Sequence, residues 1–155
     1  MTDLEVLFSG RVSVVCVGNE LNGDDAFGPQ VFRLLQPIDD DEMQLIPAST
    51  VPENFIGEIM DFKPARVVVI DAGDFGGSPG ELRSFEVGEL EAFNVSTHRM
   101  PLKLFTRRFT DNGISVHFIS VQASRTVVGE PLSHEVGKSA AILSDLIEKT
   151  REKQR

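Results

Sequence analysis

The chain has 155 residues, 41% hydrophobic and 25% charged, with a formal net charge of −9. That is enough for one domain with a real core, residues 1–155, and too acidic for a general nucleic-acid binder, which needs clustered Lys and Arg against phosphate. One cysteine excludes an internal disulfide, no run approaches the roughly 18 apolar residues of a membrane span, and the N-terminus has no basic-then-apolar signal pattern, so a cytoplasmic protein is expected.

Val12–Val17 reads as a buried strand, β-branched and almost continuously apolar. Gly18 ends it, and the polar loop Asn19–Asp25 follows. A helix is expected from about Pro29, with Val31, Leu34 and Leu35 on one face, stopped by Pro37 and the acidic run Asp39–Glu42. Met43–Ile46 predicts a short second strand. Ser49–Glu53 begins a second helix that runs to about Phe62, with Phe55, Ile56, Ile59 and Met60 as its apolar stripe. Arg66–Ile70 is the clearest strand, with Asp71 at its C-terminal end.

The glycine-rich turn Gly73–Gly80 leads to an edge strand over Glu81–Phe85. A polar segment holding His98 precedes a short helix at Leu102–Phe109. Val116–Val121 is the last strand and Leu132–Lys149 the last helix, where Val136, Ala140, Leu143 and Ile147 recur at helical spacing. The basic tail Lys149–Arg155 is expected to be a solvated helix end favoured by the macrodipole. Strands alternating with helices predict a three-layer α/β/α fold: a mostly parallel, twisted sheet of about five strands with one antiparallel edge strand and helices on both faces.

In such sheets ligands gather beyond the carboxyl ends of the strands, and two acidic features lie on that rim. The first is Gly18–Gly28, in which Glu20, Asp24 and Asp25 would repel a phosphate unless a cation sat between them. Its spacing matches neither a P-loop nor a dinucleotide fingerprint. One of Asp24 and Asp25 is expected to cap the following helix, leaving the other for chemistry. The second is Asp71, which follows four apolar strand residues; a half-buried carboxylate there calls for a cation or hydrogen-bond donors.

His98 lies in a polar loop before a helix, whereas His117 is embedded in an apolar strand and His134 opens the last helix. Two carboxylates and an imidazole suit a borderline divalent metal such as nickel or zinc, and three protein ligands leave positions open for substrate or water. Cys16, inside an apolar strand, lacks the exposed electropositive setting of a catalytic thiolate.

Three motifs in the same order and spacing resemble the hydrogenase maturation proteases: Gly18-Asn19-x-Leu21-x-x-Asp24-Asp25-x-x-Gly28, Val69-Ile70-Asp71-Ala72 and Thr97-His98-x-x-Pro101-Leu102. The likeness spans residues 12 to 147. Val51-Pro52-Glu53-Asn54, Ser78-Pro79-Gly80-Glu81-Leu82-Arg83 and Ile119-x-Val121-Gln122 look most like the branch that processes the hydrogenase-3 type large subunit.

The resemblance implies an endopeptidase that removes the C-terminal extension of a nickel-loaded large-subunit precursor. It selects Asp25 over Asp24 and names Asp25, Asp71 and His98 as the metal-binding and catalytic residues. It implies nickel carried in by the precursor, and a monomer; the donor types alone would also allow zinc or another divalent metal as a substitute, and charge and hydropathy point to neither a nucleic-acid nor a membrane partner. Many relatives carry Gly where this chain has Ala26, which implies a slightly different loop there. The alternative from another class is a non-proteolytic nickel-site checkpoint or chaperone for the large subunit. A nucleotide-binding regulator would need basic residues near the Asn19–Asp25 loop, and apart from distant Arg99 the sequence offers none.

Overall fold

The computed structural model describes residues 3–92, 102–124 and 127–155. Helix α1 (Asp3–Leu7) leads into strand β1 (Val12–Val17), and a 3-10 turn (Gly23–Ala26) runs into helix α2 (Phe27–Leu35). Strand β2 (Met43–Ser49), a second 3-10 turn (Pro52–Phe55), helix α3 (Ile56–Phe62) and strand β3 (Arg66–Gly73) follow. After them come strand β4 (Leu82–Phe85), helices α4 (Val87–Ala92) and α5 (Leu102–Thr110), strand β5 (Ser115–Gln122) and helix α6 (His134–Glu152).

The sheet order is β2-β1-β3-β5-β4, parallel except where β4 pairs antiparallel with β5. This is the expected mostly parallel sheet of five strands with one antiparallel edge. All six residues of β1 are buried, as are the last seven of β3. Continuous apolarity follows from their place at the centre of a sheet covered on both faces.

Alternation along these strands feeds two cores. Val12, Val14 and Cys16 of β1 and Val68 and Ile70 of β3 pack with Phe27, Val31 and Leu35 of α2 and with Val136, Ala140, Leu143 and Ile147 of α6. Val15, Val17, Val67 and Val69 face the other way, against Ile59 of α3 and Phe105 and Phe109 of α5. Each fully buried aliphatic or Phe side chain contributes on the order of 1.5–3 kcal/mol relative to exposure.

Helix α2 lies so close to β1 that a Cβ at Gly28 would sit 2.1 Å from the Val17 carbonyl oxygen. Gly28→Ala is therefore expected to lower unfolding stability by about 1–3 kcal/mol, read as a drop in urea midpoint without a change in slope.

The expectations for the α2 cap and for the basic tail require correction. Helix α2 starts at Phe27 and its N-cap position, Ala26, makes no side-chain cap hydrogen bond, so neither Asp24 nor Asp25 caps it. The basic tail is not simply solvated: Arg151 is 1% exposed. Its Nε donates to Asp40 Oδ2 at 2.8 Å and its Nη2 to Asp40 Oδ1 at 3.1 Å, while Nη1 donates to the Phe8 carbonyl at 2.9 Å and to the Gly10 carbonyl. A guanidinium can be buried when its donors are satisfied and a carboxylate faces it in bidentate geometry. Among the described residues, no helix is long and apolar enough to cross a membrane.

Candidate functional site

From β1 the chain passes through α2 to β2 on one side, then through α3 to β3 on the other. The strand order therefore reverses between β1 and β3, with α2 on one face and α3 on the opposite one. Such a reversal opens a crevice beyond the carboxyl ends of the two strands. Asp25 follows β1 and Asp71 lies near the end of β3, so both acidic residues lie at the end of the sheet where such a crevice is expected.

The loop from Gly18 to Asp25 folds tightly back on β1. Gly18 has φ +146°, and a Cβ there would lie 2.0 Å from the Asp25 carbonyl oxygen, so only glycine fits. The Asn19 amide donates to Asp25 Oδ2 at 2.9 Å, and the Leu21 amide to Asn19 Oδ1 at 2.9 Å. Asp25 is 3% exposed. Ala26 has φ −78°, so alanine is accommodated there without strain.

Asp24 is completely buried and serves a different purpose. Its Oδ2 accepts the Ser124 amide at 2.7 Å and the Ser133 hydroxyl at 2.9 Å, and its Oδ1 accepts the Ser133 amide at 2.7 Å. Ser133 is in turn the N-cap of α6. One carboxylate thus ties the turn that carries Asp25 to the segment between β5 and α6. The adjacent pair divides its labour between a structural clamp and a residue on the crevice.

Asp71 is 3% exposed and its Oδ1 accepts the Ala72 amide at 2.7 Å. Burial, reinforced by the negative charge of Asp25, pushes the Asp71 carboxyl well above its ordinary range. A divalent cation reaching both carboxylates would neutralise that repulsion, and oxygen donors of this kind accept such ions.

Among the described residues no three His, Cys, Asp or Glu side chains gather into a metal-holding group. His98, the nitrogen donor expected from the sequence, lies outside the described residues. Of the other histidines, His117 Nδ1 is 2.9 Å from Glu86 Oε1, and His134 is the first residue of α6. Cys16 is 1% exposed, and burial pushes its thiol up to about 12, so it is no nucleophile.

Gln122, at the end of β5, organises the other border of the crevice. Its Oε1 accepts the amides of Phe75 (2.9 Å) and Gly77 (3.0 Å), and its Nε2 donates to Asp74 Oδ1 and the Ala123 carbonyl, each at 3.1 Å. The glycine-rich turn after Asp71 is thereby pinned by one side chain. Across the sheet, Asp71 stands opposite Ser120 of β5, which stands opposite Arg83 of β4. Arg83 pairs with Glu81, and its guanidinium lies 4.7 Å from the centre of the Phe75 ring. The Asp24 and Gln122 networks join distant segments, and no local sequence pattern announces them.

Comparison with known proteins identifies the family. The hydrogenase maturation protease family model HycI matches residues 29–150, a span that contains Asp71 and His98 and starts just beyond Asp25. The Hydrogenase 3 maturation protease of Escherichia coli is 32% identical over 110 residues, 70% of each chain. A putative hydrogenase maturation protease of Methanocaldococcus jannaschii is 29% identical over 135 residues, 83% of this chain and 88% of that one. Among solved structures, the nickel–iron hydrogenase maturation protease HycI from Thermococcus kodakarensis superposes with a TM-score of 0.86 at 32% identity, covering 97% of this chain and 99% of that one. A topology with its reversal at β1 and β3, a family match across most of the chain and these identities place the protein in the hydrogenase maturation protease family and make it a peptidase.

Proposed function

We propose that the chain is the endopeptidase that removes the C-terminal extension from a nickel-loaded large-subunit precursor of a nickel–iron hydrogenase, and that it recognises the precursor through the bound nickel. The observation that carries this reading is the placement of Asp25 and Asp71 at one strand-order reversal, close enough for the charge of Asp25 to bear on Asp71. In this reading Asp25 and Asp71 supply oxygen donors and His98 a nitrogen donor. The nickel is part of the substrate, and zinc or another divalent ion would substitute for it.

Recognition through the metal has a simple energetic logic. Two buried carboxylates repel each other in the free enzyme, and a cation brought in by the substrate relieves that repulsion. Precursor without nickel lacks this gain and is spared; each tenfold of preference needs only about 1.4 kcal/mol. Bound there, the metal would polarise the scissile carbonyl or the attacking water, and Asp25 or Asp71 would accept the proton that water gives up.

Incubating nickel-loaded precursor with the protein and weighing the products by mass spectrometry tests the reading. Loss of a C-terminal peptide is expected from loaded precursor, with little from the nickel-free form. A stable complex with the precursor mass intact would instead identify a checkpoint or chaperone.

A further inference from the structure

The rim beside Asp25 carries exposed apolar side chains that belong to neither core cluster of the described residues. Leu21, in the loop that ends at Asp25, is 66% exposed, and Val127 and Val128 are 56% and 75% exposed. The two segments run side by side: the Gly129 amide donates to the Leu21 carbonyl at 2.8 Å, and the Gly23 amide to the Glu130 carbonyl at 3.1 Å. Residues 127–130 form a turn closed by the Glu130 amide on the Val127 carbonyl at 3.1 Å, with Gly129 at φ +84°. Exposed turns favour Gly, Pro, Asn, Asp and Ser, which suit the backbone or bond to it. Two valines at such a turn bury little on folding, and neighbouring exposed aliphatic side chains mark contact surfaces.

Leu21 also lines a cleft of about 440 Å³ that includes Pro29, Phe32 and Pro47. The two charged side chains of the cleft wall, Glu20 and Arg33, approach each other to 3.7 Å. Contrary to the expectation from sequence, a basic residue does stand beside the Asn19–Asp25 loop, but Glu20 offsets it, so the wall presents no net charge to an occupant. The cleft therefore suits an uncharged, apolar side chain, and the exposed Glu130 in the turn that bears the valines disfavours an acidic segment beside it. The rim's continuity with the loop that carries Asp25 puts its occupant beside the crevice.

We propose that Leu21, Val127 and Val128 form the docking surface for an apolar, uncharged stretch of the precursor polypeptide adjoining its cleavage point, with one of its side chains seated in the cleft. The docking rim presupposes that the precursor is the substrate of the Asp25–Asp71 crevice. Apolar anchors held by the rim would position the scissile bond before chemistry begins, and so act on binding rather than turnover.

Steady-state cleavage of nickel-loaded precursor by four proteins decides it: the native chain, a Val127→Ser/Val128→Ser double variant, Leu21→Ser, and Ile142→Ser as a control. Ile142 is 54% exposed on α6, away from the rim. The rim variants are expected to raise KM about tenfold, with kcat within about twofold of native and an unchanged thermal midpoint. Ile142→Ser should keep the native KM. Native KM in both rim variants, or a fall in kcat at constant KM, overturns the docking surface while leaving the peptidase reading intact. Sedimentation showing a native dimer that the rim variants split into monomers also overturns it, because the rim would then be a contact between copies. A native chain that leaves loaded precursor uncut removes both readings.

Discussion

Asp71→Asn is expected to reduce cleavage of nickel-loaded precursor by at least about a hundredfold, the order of loss seen when a metal environment is impaired, while leaving the fold intact. Asparagine has the same shape, and its Oδ1 can still accept the Ala72 amide that Asp71 Oδ1 accepts at 2.7 Å. What it removes is the ability to carry negative charge beside Asp25. In the free protein that charge opposes folding, because burial and the Asp25 carboxylate raise the Asp71 pKa.

The sign of the stability effect follows from the raised value. A carboxyl whose folded pKa exceeds its unfolded one favours the folded state below the unfolded value, and that contribution disappears as pH rises through the folded value. At neutral pH the variant should therefore melt no lower than the native chain, and the gap should close as the pH falls to about 4. Thermal melts across this range, beside the cleavage assay, check both halves. A variant that loses activity only because it melts early would contradict the assignment, whereas lost activity at undiminished stability is the mark of a group kept for function.

The readability of this chain depended on how local the cause of each feature is. The strands at Val12–Val17 and Arg66–Ile70 could be recognised because central parallel strands are buried on both faces and so become continuous apolar runs; the second continues beyond its apolar run to Gly73. Strand β2 was only partly visible, since it lies at the edge of the sheet and continues through Pro47, which an edge strand tolerates. The segment expected to begin a helix at Ser49 is strand to that residue, then a 3-10 turn over Pro52–Phe55, and the α-helix starts only at Ile56.

Short helices α1 and α4 carry too few turns to show a period. Asp71 was visible because a charge ends an apolar run. Asp24 and Asp25 could not be told apart from the residues themselves: the partners of Asp24 lie 100 and 109 residues along the chain. A likeness of motif had to choose, and the buried Asp24 clamp supplies the physical reason for the division between them.

Distance along the chain also concealed the Arg151–Asp40 pair, 111 residues apart, and its loss is expected to produce the largest change in stability. Asp40→Asn should lower unfolding free energy at neutral pH by about 3–5 kcal/mol, because it leaves a buried guanidinium without its counter-charge. The side chains of Arg151 and Asp40 are only 2% and 5% exposed, so the effect should persist in high salt, where a surface pair would fade.

The Arg151 guanidinium holds the Asp40 carboxyl below its usual range. A depressed carboxylate stabilises the fold at pH values above its unfolded pKa, and that contribution is lost as pH falls through the folded value. In acid the native carboxyl takes up a proton and comes to resemble the variant. Urea unfolding of both proteins from pH 7 to about 3 should therefore show a gap that is constant near neutrality and narrows below about pH 4. A gap that ignores pH would assign the loss to packing. A gap that collapses in salt would mean that solvent reaches the pair. Asp40 and Arg151 join the segment after α2 to the end of α6, and Arg151 reaches on to the Phe8 and Gly10 carbonyls just before β1. Destabilisation without loss of turnover in the still-folded fraction would separate this fastening from the acidic crevice beyond the carboxyl ends of the strands.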